Sequence, residues 1–206
     1  MRQLHPIRAI AILAVCVVLL SPALAAAKEA DAGAFLKALS REASAKLGGK
    51  DLSKAQKQEN FRQLFQSAFD VPTISRFVLG KYWRSATDAQ RKAFTAAFEE
   101  LQMQRFLPQF EKYDESAVQV ESVQPEPGKP DLFRVNSKII RPEGEPINVV
   151  WRVRDTGSAY KILDVVAEGV SMAISLRHEY GEVAKTKGID GLIKDMQDKS
   201  AELAAQ

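Results

Sequence analysis

The sequence predicts an α+β fold: a four-stranded antiparallel sheet with one face covered by several helices. Three observations carry this. Apolar residues recur at helical spacing through the first part of the chain and again at its end. Between 114 and 168 the period changes to two, and three turn signals cut that stretch into short segments. Connections that short leave no room for crossover helices, so the segments form an antiparallel meander with one covered face. The expected division is 28–113 mainly helical, 114–168 sheet and 169–206 helical, forming one domain with helices layered on the sheet.

The elements follow in order. Phe35, Leu36, Leu39, Ala43 and Leu47 make the first stripe, stopped by Gly48 and Gly49. Phe61, Leu64, Phe65 and Ala68 make the second. Asp70 with Pro72 behind it marks a new helix start, because the carboxylate accepts from free backbone N–H groups and proline fits the first turn. Gly80 ends that short helix. Thr87 and Gln90 form a capping box before a long helix carrying Phe94, Ala97, Phe98 and Leu101, with Pro108 kinking or ending it near Phe110.

Turn signals at Pro125–Gly128, Pro142–Gly144 and Asp155–Ser158 then separate the strands. Val118 and Val120 share a face, as do Phe133, Val135, Ser137 and Ile139. Ile147, Val149, Trp151 and Val153 do the same, with Asn148, Arg152 and Arg154 opposite. Tyr160, Ile162 and Val166 give the fourth strand, and Gly169 closes the sheet. One helix follows with Met172, Leu176, Tyr180 and Val183, and another after Asp190 with Leu192, Ile193 and Met196.

The amino terminus addresses the chain for export. Arg2, His5 and Arg8 precede the apolar run Ala9–Leu20, and Ser21-Pro22 and small residues follow, with A-x-A sites ending at Ala25 and Ala27. This is the pattern of a cleavable signal peptide over 1–27, and the run is shorter than the roughly 20 residues a membrane span needs. Cys16 sits inside the apolar run behind Val15, so it is not a lipidation site. It leaves with the signal, and the mature chain from Lys28 has no disulfide or cysteine metal site. Arg2 and Arg8 leave too. The remaining basic residues nearly balance the 26 acids, a charge pattern that excludes an obvious nucleic-acid binder.

Catalytic and metal chemistry finds little support. Gly169-Val170-Ser171-Met172-Ala173 follows a strand and opens a helix, as a nucleophile elbow does. A serine nucleophile needs a base in hydrogen-bond reach. The one histidine of the mature chain, His178, lies seven residues along the same helix. At about 1.5 Å per residue it is roughly 10 Å away. Ser171 therefore reads as a helix cap, and Asp164 and Glu168 as groups bonding backbone at the strand-to-helix corner. A lone histidine without cysteines does not make a zinc site. Gly48-Gly49-Lys50-Asp51 lacks the spacing of a phosphate loop. Arg84 and Arg105 are candidates for a phosphate, or simply solvated helix faces. The remaining resource is apolar: Phe77, Trp83, Phe94, Phe98, Phe106, Phe110 and Trp151 are concentrated in the helices and on one sheet face, as core or as pocket wall.

Two blocks of sequence resemble a known family. One is Phe69-Asp70-Val71-Pro72-Thr73-Ile74-Ser75-Arg76-Phe77-Val78-Leu79-Gly80-Lys81-Tyr82-Trp83-Arg84, with Thr87, Gln90 and Phe94 after it. The other is Tyr160-Lys161-Ile162 with Asp164, then Glu168-Gly169-Val170-Ser171-Met172, Arg177, Glu179-Tyr180 and Gly188-Ile189-Asp190-Gly191-Leu192. In this order, behind a signal peptide, they resemble the MlaC or toluene-tolerance family of periplasmic phospholipid-binding proteins from about Phe61 to Met196.

The resemblance implies a non-enzymatic periplasmic shuttle without cofactor, its helices and sheet enclosing an apolar pocket that holds the acyl chains with the headgroup outward. It also implies partners: an outer-membrane lipoprotein–porin complex and an inner-membrane ABC transporter with its substrate-binding subunit. Cargo would be a glycerophospholipid, the transfer maintaining outer-membrane lipid asymmetry. A related branch of the family makes a hopanoid or another lipid the alternative. Two further readings are a serine-dependent lipid esterase built on Ser171 and a non-lipid interaction module. The expected pocket residues, chosen from the predicted inner faces, are Phe77, Phe94, Phe98, Val135, Ile139, Val149, Trp151, Ile162, Val170 and Met172.

Overall fold

The computed structural model describes residues 22–49, 51–110, 117–141 and 143–205. The apolar run of the expected signal peptide lies outside these residues, and the expected cleavage point before Lys28 falls within the first helix. Five helices lead: α1 (Pro22–Leu47), α2 (Lys54–Ala68), α3 (Val71–Leu79), the single turn α4 (Tyr82–Ser85) and α5 (Asp88–Phe110). The strands β1 (Val118–Glu126), β2 (Lys129–Ile139), β3 (Ile147–Asp155), β4 (Tyr160–Ala167) and β5 (Val170–Ser171) follow, and α6 (Met172–Ala204) ends the chain.

The caps fall where side-chain chemistry places them. Ser53 and Gln56 close a capping box on α2. Asp70 accepts the Thr73 N–H at 3.1 Å and opens α3. Thr87 and Gln90 exchange bonds at the start of α5. The two carboxy-terminal helices expected from the sequence form one element with a break at Gly188, whose φ of 73° is open to glycine and strained for other residues.

The sheet is an antiparallel meander in the order β1-β2-β3-β4-β5, one strand more than expected. After the Glu168-Gly169 turn, Val170 and Ser171 pair back onto Ala167 and Val166 before α6 begins. A two-residue strand has no period to read. A second correction concerns β4. The β3–β4 register shifts between Arg152 and Val153, so Ile162 pairs with Val153 but Val165 with Trp151 and Val166 with Val150. Val165 and Ala167 therefore share the inner face with Ile162, and Val166 lies on the other face.

Two apolar clusters form. One lies among the helices, around Phe94, Phe98, Leu101, Tyr180, Leu192 and Met196. The other lies between α1 and the sheet, around Leu36, Phe133, Val135, Val149, Trp151 and Ile162. α1 comes close to β1 because Gly33 has no side chain: a Cβ there would sit 3.1 Å from Val123. The start of α1 is tied to the β3–β4 hairpin by Lys28, whose ammonium lies 2.8 Å from Asp155 and whose carbonyl accepts from Tyr160. The end of α2 is tied to β4 by the Asp70 N–H, which donates to the Ile162 carbonyl at 3.0 Å.

Candidate functional site

A cavity of about 350 Å³ lies at the seam between the two clusters. Helix α1 contributes Leu36, Leu39 and Ala43, and Phe61, Phe65 and Phe69 come from α2 and its end. Phe98 and Phe106 of α5 close another side, and Trp151 and Val149 of β3 form the floor with Val165 and Ala167. Ile139, Ile147 and Val118 extend it toward the end of the sheet where β1 begins and β2 ends.

The floor is held rigid. The Trp151 indole N–H donates to Ser137 Oγ at 2.9 Å, and that hydroxyl donates onward to the Val149 carbonyl at 3.2 Å. This cross-strand chain satisfies the only polar atom of the indole and fixes its ring against the cavity. Phe65 and Phe69 stack at 4.6 Å on the helical side.

Polar groups are few in the wall. Asp164 accepts the Ser171 hydroxyl at 2.6 Å and the Ala173 N–H at 2.9 Å. Both bonds anchor the N-terminus of α6, where a carboxylate is favoured by the helix dipole. Ser171 Oγ in turn accepts the Ile174 N–H at 3.1 Å. Ser171 is thus the helix cap and Asp164 the corner bond, as the sequence suggested. Glu168 plays the parallel part, accepting the Asn148 N–H. The Ser171 proton is committed to Asp164, and His178 is exposed on α6. Gln102 of α5 is the other buried polar residue of the wall. Its amide nitrogen lies 3.2 Å from the Tyr180 hydroxyl. Burial pushes the Tyr180 phenol above its ordinary value.

Of the ten residues expected to line a pocket, Phe98, Ile139, Val149, Trp151 and Met172 stand together in this cavity wall. Phe94, Val135 and Ile162 are fully buried in the packing behind it. Phe77 and Val170 are 42% and 60% exposed and lie outside it. Phe77 is on the outer side of α3, with the Arg177 guanidinium 4.8 Å from its ring centre, and Val170 follows the Gly169 turn at the sheet edge. Arg84 and Arg105 also stand apart from the wall, Arg105 lying 3.7 Å from Glu179. The inner stripe of α1, the Phe61–Phe65–Phe69 row, Phe106 and Leu176 line the cavity without having been selected. Their periodicity was visible, but it does not separate pocket wall from core.

A helical layer over an antiparallel meander, with an apolar cavity between them, defines the class as α+β. The family model described as MlaC protein matches residues 37–198, and the chain belongs to that family. A curated relative, the intermembrane phospholipid transport system binding protein MlaC of Haemophilus influenzae, is 30% identical over 128 residues. That stretch covers 61% of this chain and 59% of the relative, so the chain matches less than two thirds of that protein's length. A solved phospholipid-binding protein from Ralstonia solanacearum, in complex with a phospholipid, has the same fold with a TM-score of 0.71. It is 20% identical, and the match covers 84% of this chain and 98% of that one. No helix among the described residues is long and apolar enough to cross a membrane.

Proposed function

We propose that this protein is a periplasmic phospholipid shuttle. It takes up a glycerophospholipid, shields the acyl chains between sheet and helices, and carries it between an outer-membrane lipoprotein–porin complex and an inner-membrane ABC transporter with its substrate-binding subunit. The transfer serves the lipid asymmetry of the outer membrane, and no covalent step is involved. The apolar cavity carries this reading. Its volume, about 350 Å³, lies within the range of small-molecule pockets, about 300–1,000 Å³, and its wall is mostly apolar.

The physical need is large. Exposing lipid chains to water costs about 0.8 kcal/mol per methylene, or roughly 25 kcal/mol for two chains of some 16 carbons. A soluble carrier removes most of that barrier if its pocket is apolar and its mouth opens. Membership in the MlaC family supports the assignment of cargo and compartment.

Lipid transfer between two vesicle populations tests it. With a self-quenched fluorescent phospholipid in donor vesicles, residues 28–206 should accelerate dequenching in proportion to protein concentration. No acceleration by a protein that also stays lipid-free after incubation would sink the proposal.

A further inference from the structure

The large apolar side chains left exposed among the described residues are Phe77, Val170 and Ile174. They belong to α3, β5 and α6, yet they meet at one corner. Arg177 of α6 donates to the Phe77 carbonyl at 2.8 Å, and its guanidinium lies 4.8 Å from the Phe77 ring centre. Ile174 stands one turn before Arg177 on the same face of α6. Val170 directly precedes Ser171, whose hydroxyl caps the Ile174 N–H. Scattered exposed apolar residues are ordinary, whereas a cluster of them marks an interaction site.

The charge around this corner has one sign. Arg76 adjoins Phe77 and is exposed. A Cβ at Gly80 would lie 3.1 Å from the Arg177 guanidinium, which brings the exposed Lys81 to the same place. Arg76, Lys81 and Arg177 make no ion pair among the described residues. The carboxylates closest in the chain are engaged elsewhere: Glu168 accepts the Asn148 N–H, Glu179 lies 3.7 Å from Arg105, Asp70 lies 3.6 Å from Arg154, and Asp88 lies 3.0 Å from Arg91. A guanidinium has five donors, and the Phe77 carbonyl takes one from Arg177.

We propose that this corner docks the protein on a bilayer of anionic phospholipid. Phe77, Val170 and Ile174 enter the boundary between headgroups and acyl chains, and Arg76, Lys81 and Arg177 meet the phosphates. Apolar tips among unpaired cations suit such an interface, where burial and attraction to anionic lipid add. The place in the fold favours a bilayer over an acidic protein. Ile74 of α3 and Met172 and Leu176 of α6 line the cavity from inside. The corner is the outer side of the same two helices, so a bilayer seated there is one helix away from the space for acyl chains. The proposal rests on the carrier reading above and adds the face that meets the membrane.

The test is co-sedimentation of the exported protein with vesicles of phosphatidylcholine alone or mixed equally with phosphatidylglycerol. The wild type should bind the anionic vesicles at least roughly tenfold more tightly, and raising salt from about 50 to about 500 mM should weaken that binding. Arg76→Gln with Lys81→Gln should weaken it about 25-fold, roughly fivefold per cation. Ile174→Ser should weaken it about tenfold. Lys199→Gln, far along α6, should leave it unchanged. These side chains are exposed, and circular dichroism checks that each variant is folded. A wild type that ignores the anionic lipid overturns the proposal and needs no variant. Binding unchanged in the corner variants also overturns it and leaves the corner to an acidic protein partner. Lipid transfer is measured on the same samples. Transfer without docking overturns the docking surface alone, and docking without transfer or lipid uptake overturns the carrier reading instead.

Discussion

The packing of α5 against α6 and the seam between α1, α2 and the sheet are built from the same residue types, yet only one is filled. In the first, Phe94 and Phe98 meet Tyr180 edge-on at 6.4 Å, and Leu101, Leu192 and Met196 close around them with almost no exposure. In the second, Leu36, Phe65, Val149 and Trp151 face one another across about 350 Å³. Interiors otherwise pack like organic crystals. Two helices can approach until their ridges interlock. A helix layer bridged to a sheet at its margins, by Lys28–Asp155 at one end and Asp70–Ile162 at another, is held off at the centre. The first region supplies stability, and the second is where the proposed carrier would hold its cargo.

The sharpest way to break this contrast is a charge in the seam. Ile139→Asp, at the half-buried end of the cavity floor, should remove cargo altogether while export continues, read as lipid phosphorus per purified protein. Stoichiometric lipid in that variant would mean the cargo lies elsewhere. Phe94→Ala should do the reverse. It should cost about 3–5 kcal/mol in denaturant unfolding and leave lipid on the folded protein. A loss below about 1 kcal/mol would show that the helical core is not close-packed.

Filling the seam gives a smaller effect of opposite sign. Ala43→Leu, on the inner face of α1, should raise the stability of the delipidated protein by about 1 kcal/mol and cut lipid uptake severalfold. Destabilisation there would mean the wall has no spare room. The smallest effect concerns Tyr180. Burial raises its phenol above the ordinary 10.0, so the neutral form is favoured by the fold. Its contribution is full below pH 10 and falls as pH rises through the raised folded value. The unfolding midpoint should therefore drop as pH rises above about 10, and Tyr180→Phe should flatten that drop. An identical slope in both proteins would remove Tyr180 from the account.

Much of this architecture was legible in the sequence. The caps at Asp70, Thr87 and Ser171 could be read from side-chain chemistry, and strands 118–126, 129–139 and 147–155 from alternation and turns. The β4 face was not, because a one-residue bulge reverses the alternation and moves Val166 outward, and nothing in Leu163-Asp164-Val165 announces a bulge. The cavity was half legible. The inner faces of α1 and α2 were visible as stripes, but which members of a stripe face space and which face other side chains depends on how far apart the layers are held, a tertiary quantity. Phe77 was misplaced because it adjoins the buried Ile74 and Val78 in a short helix, where one position in either direction changes the face. Gln102 did leave a signal: a polar residue midway between Phe98 and Phe106 on an otherwise apolar stripe.

Native mass spectrometry of the exported protein, with lipid extracted from the same sample, tests the central claim most directly. The expected result is a stoichiometric adduct of phospholipid mass that disappears in Ile139→Asp. A wild-type protein that runs at its bare polypeptide mass, and takes up no lipid from vesicles, would contradict it.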